Sequence, residues 1–168
     1  PNNLIASGIT QVQRPPLSLT GRGVVMCIID TGIDFTSIID DTFFRKTYIQ
    51  NYLLGKALIN SKLHMDGKVI SSYMPLEILE EYNVPGRDLG GVIDQLRFTE
   101  GVEVAIFLHQ AEDGDYKVSL RSNDYLNVSD VCLMFGGGGH VRAAGCKLPG
   151  TIEEIKQKLV NEIRKQIK

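Results

Sequence analysis

Residues 135–146 read FGGGGHVRAAGC, with four consecutive glycines, Gly136 to Gly139, ahead of a histidine and an arginine. Glycine in ordered structure costs about 0.5–1 kcal/mol relative to alanine. A run of four therefore predicts that something approaches this backbone too closely for side chains. Peptide N–H groups in such a turn can converge on an anion, and a helix starting after it would add its positive dipole end. His140 and Arg142 stand beside that nest as side-chain donors. The alternative is a flexible linker. Linkers are longer and padded with serine, whereas this run is flanked by apolar VCLMF and by AAGC, so the stretch reads as a fixed cradle for a phosphate or a nucleotide.

The chain has 168 residues, 43% of them hydrophobic and 23% charged, which suits one globular domain or a domain with an appendage. A net charge of −2 leaves no broad basic face for long duplexes, so an anionic ligand must be met by a local cluster. The longest apolar runs, VVMCII and VAIFL, are far short of the roughly 20 residues of a membrane span. The opening PNNLIASG has neither the basic start nor the apolar stretch of a secretory leader. Cys27, Cys132 and Cys146 are widely spaced within apolar sequence, so buried reduced thiols in a cytoplasmic protein are expected rather than a zinc site.

Working outward from the glycines, Ser129 is expected to cap a helix over DVCLMF. Upstream, VEVAIFLHQ and YKVSLRS flank Asp113-Gly114 and read as a strand pair. RDLGGVIDQLR reads as a helix capped by Asp88 with Val92 and Leu96 inward, and PLEILEEYNV as a short helix opened by Pro75. HMDGKVISSYMP places an Asp66-Gly67 turn before a strand. A long helix is expected from Asp41 or Thr42 through FFRKTYIQNYLLGKALINSKL, with Phe44, Tyr48, Tyr52 and Leu53 at helical spacing. Val24 to Asp30, VVMCIID, reads as a buried strand after a proline-bearing arm. Downstream, a Thr151 to Glu154 capping box opens an amphipathic helix with an Ile152, Ile155, Leu159, Ile163 stripe. The fold class is α/β: a mixed β-sheet flanked by helices, with an N-terminal arm and extra strand.

The series MDGKVISSYMP, RDLGGVIDQLRFTEGVEVAIFLHQ, YKVSLRS and VSDVCLMFGGGGHVRAAG resembles the C-terminal substrate-binding domain of the DHH phosphoesterase family. It is most similar to the oligoribonuclease and pAp phosphatase branch, related to RecJ-type exonucleases. The resemblance runs from about residue 40 to the end. It implies a domain over residues 64–168 that grips a nucleotide or short RNA, joined by a linking helix over 36–63 to a half that holds metal ions. Carried over residue by residue, Arg121 and Ser122 of SLRS, together with Gly137, Gly138, Gly139 and His140, would hold the ligand's phosphate and sugar. Arg142 stands where the family often has a basic residue. An arginine fork suits phosphate oxygens, and either histidine nitrogen can donate.

The metal half of that family needs an adjacent Asp-His-His among several ligands, with manganese as its cofactor, and no such triplet occurs in this sequence. His64 and His109 read as surface or turn residues. No cofactor and no catalytic or metal residue is assigned to the chain, and phosphoester hydrolysis by it alone is not expected. Within residues 1–35, LTGRGVVMCIIDTGIDFT resembles the aspartate region of subtilisin-like serine proteases, with Asp30 at the orienting carboxylate. The histidine and serine motifs of that family are missing, so no protease activity is expected, and the chain reads as a mosaic. An orphan strand of this kind invites pairing, so a homodimer through it is expected. Two function classes stay open: a nucleotide or short-RNA binding module, and a catalytic remnant, whether a phosphoesterase working with a partner chain or a protease fragment.

Overall fold

The computed structural model describes residues 45–84, 89–111 and 113–167. The strand expected at Val24 to Asp30, with Asp30 and Cys27, lies outside the described residues, as do Phe44, Asp88 and the expected caps Asp41 and Thr42. The chain divides into two compact units, residues 1–45 and 46–168. Among the described residues, no helix is long and apolar enough to cross a membrane.

The second unit opens with helix α1, Tyr48–Ile59. It starts later than the pattern suggested because Thr47 and Gln50 form a reciprocal capping box there, and it buries Leu53 and Ala57. The expected helix also ran too far: Lys62–His64 is strand β1, a three-residue edge too short and polar to show an alternating pattern. The Asp66-Gly67 turn then leads into β2, Val69–Met74, and three residues with φ from 53° to 84°, Met65, Asp66 and Gly67, reverse the chain. Helix α2, Leu76–Glu81, comes after Pro75, and helix α3, Gly90–Arg97, begins after Leu89 with no side-chain cap. Strands β3, Val104–Gln110, and β4, Tyr116–Ser122, come next. Helix α4 is Val128–Leu133, β5 is Gly138–His140, β6 is Ala143–Leu148 and α5 is Ile152–Arg164.

The six strands form one mixed sheet in the order β1-β2-β3-β4-β6-β5, in which only β2 and β3 are parallel. Helices α2 and α3 supply the crossover that a parallel pair requires. The alternation of side chains gives the sheet two different faces. On one face Val104, Ile106, Leu108, Val118 and Leu120 pack with Val131 of α4 and with Ile155, Leu159 and Ile163 of α5. On the other face Ile70, Met74, Ala105 and Phe107 pack with Leu53 of α1, Leu79 of α2 and Leu96 of α3. The buried apolar part of the second cover stops at β3, and α3 reaches β4 through Asp94 and Arg121. Beyond β3, Lys117, Arg121, Ala143, Gly145, Lys147, Gly138 and His140 are half-buried or exposed.

One buried carboxylate organises the loop after β4. Glu103, 5% exposed, accepts from the backbone N–H groups of Asp124, Tyr125 and Leu126 at 2.9–3.3 Å. Asn123 completes the lock by donating to the Arg97 and Val102 carbonyls at 2.9 and 2.7 Å. A carboxylate left without these donors would be costly, and so would the donors without it.

The histidines differ from expectation. His64 lies on β1 with Nε2 2.7 Å from Ser71 Oγ, and His109 lies on β3 with its ring 6.2 Å from that of Phe107. Both are half-buried strand residues. Burial lowers both imidazoles below the ordinary value of 6.5, helped by Lys62 and Lys156 at His64 and by Lys117 at His109. Cys132 and Cys146 are buried free thiols.

Glu103→Ala is expected to lose on the order of 3 kcal/mol of unfolding free energy, because three backbone N–H groups, that of Leu126 buried, lose a charged acceptor; urea unfolding reads it, and an unchanged midpoint would remove the carboxylate's role. Because both histidines are depressed, the unfolded chain takes up their protons first. The stability they contribute is complete above pH 6.5 and falls as pH drops through the folded values. Thermal melts should show that decline, and His109→Gln should flatten it.

Candidate functional site: an open shelf on the sheet

The glycine run is decoded by its neighbours. Gly136 has φ 72°, a conformation that a side chain strains. At Gly137 a Cβ would overlap the Gly145 carbonyl oxygen and come within 2.5 Å of Cys146 Cβ. At Gly139, φ 152°, it would come within 2.5 Å of the Ala143 carbonyl oxygen and 2.6 Å of Ala144 Cα. So two of these glycines are required by the chain itself, which lays β5 tightly against β6. Gly138 is different: the nearest atom to its Cβ position is Leu133 Cδ2 at 3.9 Å. Apart from its chain neighbours, nothing else comes within 4 Å of that position.

The glycines lead into a hairpin, not into the helix that the cradle reading allowed for. The helix before them is capped by Asn127, whose side chain accepts from Ser129 and Asp130 N–H at 3.0 and 3.4 Å. Ser129, expected as the cap, instead donates its hydroxyl to the Gly139 carbonyl at 3.2 Å and ties α4 to the glycine strand.

The sheet register then assembles the site. Arg121 is paired with Ala143, and Ala143 with His140, so the three lie in one row across β4, β6 and β5. With strands about 4.8 Å apart, the Arg121 and His140 backbones are roughly 10 Å apart, separated only by a methyl group. The next row on the same face is Ser119, Gly145 and Gly138, and the one after is Lys117 and Lys147. Side chains with donors thus rim a floor that has almost no side chains. A planar guanidinium at one edge and an imidazole at the other suit an anion with several oxygens lying between them.

Arg121 is 30% exposed, and its Nη1 donates to the Leu120 carbonyl at 3.1 Å. Asp94 of α3 steadies it at 3.9 Å from Nε, and the same carboxylate oxygen lies 3.6 Å from Arg97. Sequence reading did not single out Asp94, because nothing local marks it; the contact spans α3 to β4. Ser119 and Gly145 were also missed, although the alternation of YKVSLRS already puts Lys117, Ser119 and Arg121 on one face.

Two expected site residues are placed elsewhere. Ser122 is 1% exposed, faces the opposite side of the sheet, and donates its hydroxyl to the Leu126 carbonyl at 2.7 Å. Arg142 sits in the turn between β5 and β6 and donates through Nη1 to the same carbonyl at 3.3 Å. Its own carbonyl accepts from Ser122 N–H at 3.2 Å. Together they brace the shelf from behind. Among the described residues, no group of three or more His, Cys, Asp and Glu is placed to hold a metal ion.

The sequence and the fold have relatives among known proteins. The DHHA1 domain family matches residues 66–168, which include every element of the shelf. The bifunctional oligoribonuclease and PAP phosphatase NrnA of Thermus thermophilus is 27% identical over 167 residues, 99% of this chain and 47% of that protein. That alignment also takes in the first 35 residues, where the protease-like pattern lies. Oligoribonuclease NrnB of Bacillus subtilis is 42% identical over 43 residues, 25% of this chain and 11% of that one. The crystal structure of an exopolyphosphatase-related protein from Bacteroides fragilis shares the fold, with TM-score 0.71, 24% identity, and coverage of 80% of this chain and 39% of that chain. The chain therefore spans about half, or less, of the length of these relatives.

The glycines offer a test of which side chains are excluded by the fold and which by a ligand. Gly137→Ala and Gly139→Ala should each lower the melting temperature strongly, because the added Cβ meets backbone that cannot give way. Gly138→Ala should melt with the parent. Equal losses for all three would show that the run is uniformly structural.

Proposed function

The chain belongs to the DHHA1 domain family, and from that premise we propose that residues 64–168 bind the phosphate of a nucleotide or short oligoribonucleotide on the open shelf of the sheet. The observation that carries the reading is the row Arg121, Ala143, His140 above the bare floor of Gly145 and Gly138. Arg121 supplies a fork of donors for phosphate oxygens, His140 donates from the opposite edge, and the glycines admit the ligand to the backbone. Gly137 and Gly139 set that backbone in place, and Ser122 and Arg142 hold the loops behind it. Net charge over the chain is −2, so attraction comes from this local cluster and not from a basic surface.

Binding, not turnover, is the part assigned to these residues. Phosphoester hydrolysis in a protein of this family needs metal ions to meet the charge that develops on phosphorus, and the shelf's role is to hold and orient the substrate against whatever supplies them. NrnA and NrnB are oligoribonucleases by name, which makes a short RNA the reasonable ligand. The protease-like segment in residues 1–35 plays no part in the reading.

Titration of the chain with pAp and with a dinucleotide tests it. Binding should weaken as salt rises, because the contacts are charge-assisted. His140→Ala and Arg121→Lys should each cost on the order of 1.5–3 kcal/mol, roughly ten-fold to hundred-fold in Kd. Their melting temperatures should stay near the parent's, since neither side chain is buried. Unchanged affinity in both variants would refute the assignment.

A further inference from the structure

The open face does not end at the shelf. Four residues before Arg121, about 13 Å along β4, the row of Lys117 and Lys147 continues onto His109 of β3. There the sheet meets α2, and a cavity of about 820 Å³ opens between them. Leu76 and Leu79 of α2 and Val84 line one side, and His109 and Lys117 line the other. His109 Nδ1 is buried and has no hydrogen-bond partner among the described residues. A buried polar nitrogen without a partner is costly unless something else reaches it.

The charges around this cavity are arranged in order. Lys147 is held by Asp113 and lies 3.7 Å from Asp115. Lys117, exposed on the same face as Arg121, has no ion pair among the described residues. Glu80 and Asp113, both exposed, are also on the lining. A phosphate is therefore favoured at Lys117 and disfavoured beside Glu80 and Asp113. An apolar wall with one unsatisfied ring nitrogen suits a flat heterocycle instead.

We propose that this cavity takes the terminal base of an oligonucleotide whose backbone runs along β4, with one phosphate at Lys117 and another between Arg121 and His140. The inference rests on the shelf being a phosphate site, and it makes the ligand an oligonucleotide read by length, not a single nucleotide. Lys117 and His109 become specificity residues: Lys117 through charge, His109 through a hydrogen bond to the base.

The test compares three probes on the full chain: pAp, a trinucleotide and a linear polyphosphate. The parent should bind the trinucleotide at least about ten-fold more tightly than pAp, the step that 1.4 kcal/mol gives. Lys117→Ala should remove that advantage and reduce the salt slope for the trinucleotide by roughly one. His109→Phe, which keeps the ring packing, should weaken the trinucleotide and leave pAp alone. If the parent binds pAp in an Arg121-dependent way with no gain for the trinucleotide, this inference fails while the shelf survives. It is equally overturned if Lys117→Ala weakens pAp and trinucleotide alike, or if polyphosphate shows the same Lys117 dependence and His109→Phe has no effect. If no probe binds at all, the shelf reading falls and this one with it.

Discussion

Strand β5 can lie where it does only because Gly137 and Gly139 have no side chains. Their Cβ positions are occupied by β6 backbone and by Cys146 and Ala144, so any larger residue would push the hairpin off the sheet edge. That contact sets the register in which Gly138 faces Gly145 and His140 faces Ala143. Through Ala143 it also fixes how far His140 stands from Arg121. A three-residue edge strand has too few ladder bonds to choose its own register. Steric exclusion by the neighbouring strand makes the choice.

The rear of the shelf depends on polar groups buried at cost. Glu103 gathers the N–H groups of the loop after β4, and the Leu126 carbonyl in that loop accepts from both Ser122 and Arg142. These bonds join the end of β4 to the turn between β5 and β6, the two segments that carry the candidate ligand-binding side chains. A buried charge contributes little net stability when it is merely paired. Its effect here is specificity of placement, since a displaced loop would strand several donors at once.

Asymmetric cover leaves half of one face of the core sheet open as a candidate binding surface. One face is covered by α4 and α5, while on the other the apolar contacts of α1, α2 and α3 end over β3. The uncovered half would be a liability if it were apolar. It carries instead Lys117, Arg121, Lys147 and His140 over glycine, alanine and serine, which leaves it soluble when empty and attractive to an anion. Helix α3 also contributes Asp94 at the step, where it restrains Arg121.

Much of the architecture was readable along the chain. The apolar run of VAIFL, the alternation of YKVSLRS, the Asp66-Gly67 and Asp113-Gly114 turns and the Thr151 to Glu154 capping box each act within a few residues, and each appears where local physics puts it. Likewise the glycine run announced a close approach. It could not say that the partner is largely the chain itself, because β6 lies beyond the turn and its distance is a tertiary quantity. The cap at Asn127 in place of Ser129 was decided by Gly139, whose carbonyl claims the serine hydroxyl. Ser122 turned inward because neighbours on a strand face opposite ways and Arg121 faced out. Sequence alone marked the donors Arg121 and His140; only the pairing of β4, β6 and β5 placed them in one row, since register across strands is set by long-range packing that no local pattern contains.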